Sequence, residues 1–166
     1  MSIEHVMLDI ETMGTKPGCV IASIGAVKFN IDQGIIDRFY AIPVWEGDMS
    51  YDTVRWWLDQ SQQARNELLR EATGSLKTEL EKFLNFAKGC TIWGNGVDFD
   101  NVIMSYAAQY YGLKWPYRSN RCYRTVKNMF SVESIRPTIA HDALADAEAQ
   151  ALTLLEIART HSINLK

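Results

Sequence analysis

The chain has 166 residues, the size of one average domain, and its 47 % hydrophobic and 22 % charged residues are those of an ordinary globular fold rather than a fibrous or disordered one. Seventeen Lys and Arg against twenty Asp and Glu leave a formal charge of −3, so capture of a polyanion by whole-molecule attraction is not to be assumed and nucleic acid would have to be met by a local surface. No apolar run reaches the roughly 18 residues of a membrane span, and Met1-Ser2-Ile3-Glu4-His5 does not lead from a basic segment into an apolar one, so residues 1–166 are expected to be one cytoplasmic domain with no membrane partner.

His5–Glu11 reads as a short buried strand running into a Thr-Met-Gly-Thr-Lys-Pro-Gly loop. Val20–Phe29 and Ile35–Ile42 are β-rich and flank Asn30-Ile31-Asp32-Gln33-Gly34, a length suited to a hairpin with antiparallel strands. Past Pro43 the periodicity turns helical, first at Val54, Trp57 and Leu58, then at Leu76, Leu80, Phe83, Leu84 and Ala87, with Gly89 as a stop. Cys90–Trp93 is a second short buried strand, followed by a helix outlined by Val102, Ile103, Tyr106, Ala107 and Tyr110 and closed by Gly112. A last short strand is expected near Arg121–Tyr123, and an Ala/Leu-rich helix from Asp142 to about His161. The order βββααβαβα belongs to an α/β architecture with a mixed sheet. Cys19, Cys90 and Cys122 are odd in number and far apart, which argues against disulfides or a zinc-thiolate site.

Three clusters carry chemistry. Asp9 and Glu11, two apart on a strand, share a face while Val6, Leu8 and Ile10 take the other. Their backbones are roughly 6.5 Å apart at ~3.3 Å per residue, so their oxygens can converge on metal ions about 3.5–4 Å apart. The bland reading, two solvated acids at a strand end, is weakened by the apolar company, because unpaired buried carboxylates are costly. Gly94-Asn95-Gly96-Val97-Asp98-Phe99-Asp100-Asn101 falls where a strand passes to a helix, a common place for ligands in open α/β sheets. One of Asp98 and Asp100 can be explained as a helix cap; the other is left for a site. In His141-Asp142-Ala143-Leu144-Ala145-Asp146, Asp142 suits the N-cap, leaving His141 on looser backbone before the helix and Asp146 fixed on it. A histidine so placed, with a reference pKa of about 6.5, suits proton removal near neutrality. His5 and His161 lack acidic neighbours and read as structural.

Together, Asp9-x-Glu11, Phe99-Asp100 and His141-x-x-x-x-Asp146 resemble the three ordered motifs of the DEDD 3′–5′ exonucleases, in the subgroup that carries a histidine before the last Asp. Thr12-Met13-Gly14 after the first motif, and Ala147, Gln150 and Ala151 after the last, extend the resemblance, which runs from about residue 5 to 158. The Trp-Trp segment Val54-Arg55-Trp56-Trp57-Leu58 is similar to that of short phage and bacterial exoribonuclease-like members. The resemblance implies a ribonuclease H-like fold: a five-stranded mixed sheet with an antiparallel second strand, flanked by helices. It implies that Asp9, Glu11, Asp100 and Asp146 hold two Mg²⁺ or Mn²⁺ ions, that His141 is the general base, and that the product is a nucleoside 5′-monophosphate. One departure stands out: three residues rather than two separate Asn95 from Phe99, so Asp98 could join, replace or merely cap beside Asp100, with Asp100 favoured because it follows Phe99.

The expected partner is single-stranded RNA or DNA with a free 3′ end. Lys114, Arg118, Arg121, Arg124 and Lys127 lie in a stretch without acids and are candidates for phosphate contact, with Trp115, Tyr117 and Tyr123 able either to stack on bases or to turn into the core. By similarity, Met13 would wedge against the terminal base and Thr12 or the local backbone would meet its sugar; Asn95 and Phe99 join them as substrate-contact candidates. Trp56 and Trp57 lie about 100° apart on a helix, so at most one faces the core fully and Trp56 can border the cleft. The competing reading is an inactive nucleic-acid-binding or scaffold domain of the same fold, which requires a damaged metal shell. Related enzymes are often homodimers, and a homodimer is compatible with this sequence.

Overall fold

The computed structural model describes residues 3–165. Its five-stranded sheet has the order β3-β2-β1-β4-β5, built from β1 (His5–Thr12), β2 (Ile21–Asn30), β3 (Gly34–Ala41), β4 (Thr91–Gly94) and β5 (Asn120–Cys122). β2 runs antiparallel to both neighbours, whereas β4 and β5 continue parallel to β1. This is the mixed sheet with an antiparallel second strand that the motifs imply. The β2–β3 hairpin turns on Asn30, whose Oδ1 accepts the N–H groups of Asp32 and Gln33 at 3.1 and 2.7 Å.

Alternation along β1 splits the core. Val6, Leu8 and Ile10 pack with Leu80 and Phe83 of α3 (Leu76–Phe86) and with Ile103, Met104 and Ala107 of α4 (Asp100–Tyr110). Met7, on the other face, packs with Trp93, with Tyr123 of α5 (Tyr123–Met129), and with Ala147, Ala151, Leu154 and Leu155 of α6 (Ala143–Thr160). Asp9 and Glu11 share the face of Met7 and so point toward α6. A smaller cluster of Met13, Val20, Trp57 and Ala64 joins the loop after β1 to α1 (Tyr51–Leu58) and α2 (Gln62–Leu68).

Two helices were not expected. α2 buries only Ala64 and has no apolar stripe, although Ser61 caps it by accepting the Ala64 N–H at 3.2 Å. α5 begins at Tyr123, one residue after β5, in a stretch whose charge pattern masks its helical periodicity. The closing strand is correspondingly Asn120–Cys122 rather than Arg121–Tyr123. The three cysteines are free thiols. Among the described residues, no helix is long and apolar enough to cross a membrane.

The seat of α6 depends on one glycine. Gly25 lies opposite Asp9 across β1 and β2, and a Cβ there would overlap the backbone of Ala143 and Leu144 at the start of the helix. Small residues at Ala143, Ala147 and Ala151, all fully buried, let α6 approach the sheet this closely. Gly25→Ala should therefore lower stability by about 1–3 kcal/mol and displace the helix start. A urea unfolding midpoint equal to that of the unaltered chain would mean that α6 does not press on β2 here.

Candidate active site

Beyond Leu8, β1 has no partner on its β4 side, since the β1–β4 pairing ends at Leu8 and Gly94. The next N–H on that side, that of Ile10, donates to Asp100 Oδ1 at 3.1 Å. Asp100 is thereby held against β1 as the first residue of α4, only 3 % exposed. Asn101 anchors the same helix start, donating to the Ile92 carbonyl and to Asn120 Oδ1 at 3.1 and 3.0 Å. On the opposite flank Asp142 caps α6, its Oδ1 accepting the Ala145 N–H at 2.8 Å, and Asp146 and Gln150 follow one turn apart on the face toward β1. Gln150 Nε2 donates to Asp9 Oδ1 at 2.8 Å.

These elements close a cleft of about 650 Å³ at the carboxyl ends of the parallel strands. Asp9, Glu11, Asp100, Asp146 and His141 all line it, so residues up to 137 positions apart in sequence meet in one place. Glu11, His141 and Asp146 each offer a ligand atom within 4.8 Å of the others. His141 adopts a left-handed backbone (φ 63°), and its N–H donates to Asp146 Oδ2 at 2.9 Å. Its ring meets Trp56 edge to face, with centroids 4.8 Å apart, and lies 6.0 Å from Trp57.

The acids are crowded and poorly solvated. Burial first, then the charges of Asp100, Glu11 and Asp146, holds Asp9 well above the usual carboxylate range, with the Gln150 hydrogen bond opposing. Burial and then Asp146 and Asp100 push Glu11 to about 8. Burial carries Asp100 to about 7 against the backbone donors and Arg124 that favour its charged form, and burial also raises Asp146. Gln150 Oε1, buried beside them, has no hydrogen-bond partner among the described residues. Mutually repelling hard oxygen donors with an unsatisfied acceptor beside them fit divalent cations such as Mg²⁺ or Mn²⁺.

Of the substrate-contact candidates, Thr12, Asn95, Phe99 and Trp56 line the cleft. Trp57 is buried and donates from Nε1 to the Thr12 carbonyl at 2.9 Å, while Trp56 is 45 % exposed, which divides the pair as helical geometry requires. Met13 is not at the cleft: it is buried with Val20, Trp57 and Ala64, because the loop after β1 folds back, with the Met13 N–H on the Val20 carbonyl at 3.0 Å. Arg118 and Arg121 do not line the cleft either, since Arg118 precedes β5 and Arg121 sits mid-strand, whereas the cleft lies past its carboxyl end. Arg121 Nη1 instead donates to the carbonyls of Arg118 and Asn120. Trp115 and Tyr123 turn into the core; of the three interleaved aromatics only Tyr117 is exposed. Asp98 is exposed, off the cleft, and gives α4 no side-chain cap. Arg124, one of the five basic residues named for phosphate contact, lines the cleft, and so do Thr15, Asp52 and Thr53, which sequence reading did not place there.

Residues 4–158 match the family model described as the 3′-5′ exoribonuclease Rv2179c-like domain. The chain belongs to this family. It is thus a member of the 3′–5′ exonucleases and an enzyme of nuclease type. No curated protein matches it. Among solved structures it is similar to the nuclease domain of 3′hExo, a DEDDh family member bound to rAMP, with a TM-score of 0.69, 14 % identity, and coverage of 99 % of this chain and 96 % of that one. E. coli exonuclease I in complex with a dT13 oligonucleotide gives a TM-score of 0.71 at 15 % identity; 97 % of this chain matches 43 % of that one. Cell-death related nuclease 4 gives 0.66 at 13 %, covering 96 % of this chain and 64 % of that one. At such identities the likeness is one of fold, and it bears out the ribonuclease H-like architecture.

Proposed function

We propose that residues 1–166 form a single exonuclease domain that removes nucleoside 5′-monophosphates one at a time from the 3′ end of single-stranded RNA or DNA, by two-metal-ion hydrolysis with His141 as general base. The observation that carries this reading is the convergence of Asp9 and Glu11 from β1, Asp100 from α4 and Asp146 from α6 on one cleft that His141 also lines. An inactive scaffold of the same fold would need a damaged acid set, and all five side chains are present. Asp9, Glu11, Asp100 and Asp146 would hold the two ions, Mg²⁺ or Mn²⁺. When bound, the ions would stabilise charge on the phosphate and on the leaving 3′ oxygen and make the attacking water more acidic.

The protein's own part is proton transfer and positioning. His141 takes the proton of the attacking water; its backbone is fixed by the hydrogen bond to Asp146, and its ring is flanked by those of Trp56 and Trp57. The exposed face of Trp56 suits stacking on an unpaired base, worth roughly 1–3 kcal/mol without sequence preference. Thr12 and Asn95 offer polar contacts to the terminal sugar and phosphate. The family description supports RNA as the first substrate to try.

Matched RNA and DNA oligonucleotides labelled at the 3′ end, with free or blocked termini, test the reading. In Mn²⁺ or Mg²⁺ the label should leave as a mononucleotide from free 3′ ends, and EDTA should stop its release. Release from 3′-blocked strands, or none from any strand in either metal, would count against it. Sedimentation of the chain at micromolar concentration decides whether it acts as a homodimer.

A further inference from the structure

Among the described residues, five acids line the cleft, namely Asp9, Glu11, Asp52, Asp100 and Asp146, and Arg124 is the only Lys or Arg that does so. A lone cation at an acidic wall would ordinarily be drawn into an ion pair, yet among the described residues Arg124 forms none, with no carboxylate oxygen within 4.0 Å of its guanidinium. It is held elsewhere. Arg124 Nη2 donates to the Asn95 carbonyl at 2.6 Å, and the guanidinium lies flat over Gly96, where a Cβ would come within 3.0–3.1 Å of Cζ and both terminal nitrogens. Gly96 has φ +105°, a conformation that favours glycine, so the bare backbone and the arginine fit as a pair. The preceding residue, Tyr123, is 2 % exposed and fixes the start of α5 in the core.

An arginine has five N–H donors in a planar fork, and one carbonyl engages one nitrogen. The side chain is exposed and lines the cleft beside Asn95. Planar, unpaired and pre-positioned donors match a phosphate diester, which guanidinium groups bind in bidentate fashion. On the exonuclease reading the phosphate being cut lies among Asp9, Glu11, Asp100 and Asp146; Arg124 is near enough to Asp100 to favour its charged form, yet it is tied to the Asn95 carbonyl and paired with none of the four. The contact therefore falls on a different linkage of the same strand.

We propose that Arg124 grips the phosphate next to the one being hydrolysed, so that the enzyme favours substrates with at least two phosphodiester linkages over a dinucleotide with one. This rests on the exonuclease reading and refines it to a length preference. Arg124→Met, which keeps the aliphatic reach and removes the fork, and Arg124→Lys, which keeps charge but not bidentate geometry, test it against a trinucleotide and a dinucleotide of the same sequence in Mn²⁺. For Arg124→Met, KM for the trinucleotide should rise at least tenfold more than KM for the dinucleotide, with kcat changing less than threefold on either. Arg124→Lys should fall between. Independently of turnover, binding of a labelled oligonucleotide in Ca²⁺, read by anisotropy, should lose about 0.7 from the slope of log K against log salt, as expected for one lost single-strand phosphate contact. Equal KM increases on both substrates would place the arginine on the phosphate being cut, and unchanged KM and salt slope would remove it from the substrate path; either overturns the proposal. Wild-type protein that degrades neither substrate in any metal would instead remove the exonuclease reading itself, so the two failures are distinct.

Discussion

Asp9→Asn should abolish release of nucleotides, by roughly 10³-fold or more, while making the metal-free protein more stable. The first effect follows because Asp9 lies among the other acids, with Asp100, Glu11 and Asp146 all close enough to act on its charge. The second follows from that same crowding. Asparagine preserves shape and can still accept the Gln150 hydrogen bond that Asp9 Oδ1 receives at 2.8 Å, but it removes a buried negative charge from a repelling set.

The pH dependence has a definite sign. Glu11 and Asp100 titrate near 8 and 7 in the fold and near 4 in an unfolded chain. Between those limits the folded state binds more protons than the unfolded one, so stability in EDTA should fall as pH rises from about 4 to 8. Asp9→Asn should flatten this fall and raise the unfolding midpoint at pH 8 by roughly 3–8 °C. Millimolar Mn²⁺ should raise the midpoint of the unaltered chain at pH 8 and much less at pH 5, where protons occupy the same oxygens. Thermal melts at the two pH values, with EDTA and with Mn²⁺, check all of this. A wild-type protein more stable at pH 8 than at pH 5 in EDTA would contradict the repelling cluster.

What was legible in the sequence is what short-range periodicity encodes. Alternation in β1 correctly sends Val6, Leu8 and Ile10 to one side and Asp9 and Glu11 to the other, and Asp142 is the cap of α6 that its position before the Ala-rich run suggests. The spacing of Trp56 and Trp57 also survives, one exposed and one buried. What was not legible depends on long-range closure. Asp100 rather than Asp98 lines the cleft, as the Phe99-Asp100 pair favours, but what holds it there, the Ile10 N–H some ninety residues earlier, is reported by no local pattern. The basic run from Lys114 to Lys127 looked like one surface, yet β5 and the start of α5 divide it, leaving Arg124 alone at the cleft. Met13 follows the acidic strand directly, but the fold-back of its loop onto Val20 puts it in the core.

His141→Ala should slow hydrolysis by about 10²–10⁴-fold, the span general-base catalysis commonly contributes, and should leave ion binding largely intact. The geometry admits a rival role, because Glu11, His141 and Asp146 lie close enough to share one ion. The two roles separate cleanly in measurement. A base that only moves a proton leaves the Mn²⁺ affinity seen by calorimetry within about threefold of wild type while kcat falls. A ligand lowers that affinity, and higher Mn²⁺ then restores the rate. The backbone favours the first outcome, since the His141 N–H is what holds Asp146 Oδ2, and an alanine keeps that N–H. Asp146 should thus stay in place when the imidazole is gone. Trp56→Ala supplies the complementary result: with the ring edge removed from beside the imidazole, at centroids 4.8 Å apart, kcat should fall by about tenfold while Mn²⁺ affinity holds. A Trp56→Ala protein with full kcat would show that the imidazole is oriented without Trp56.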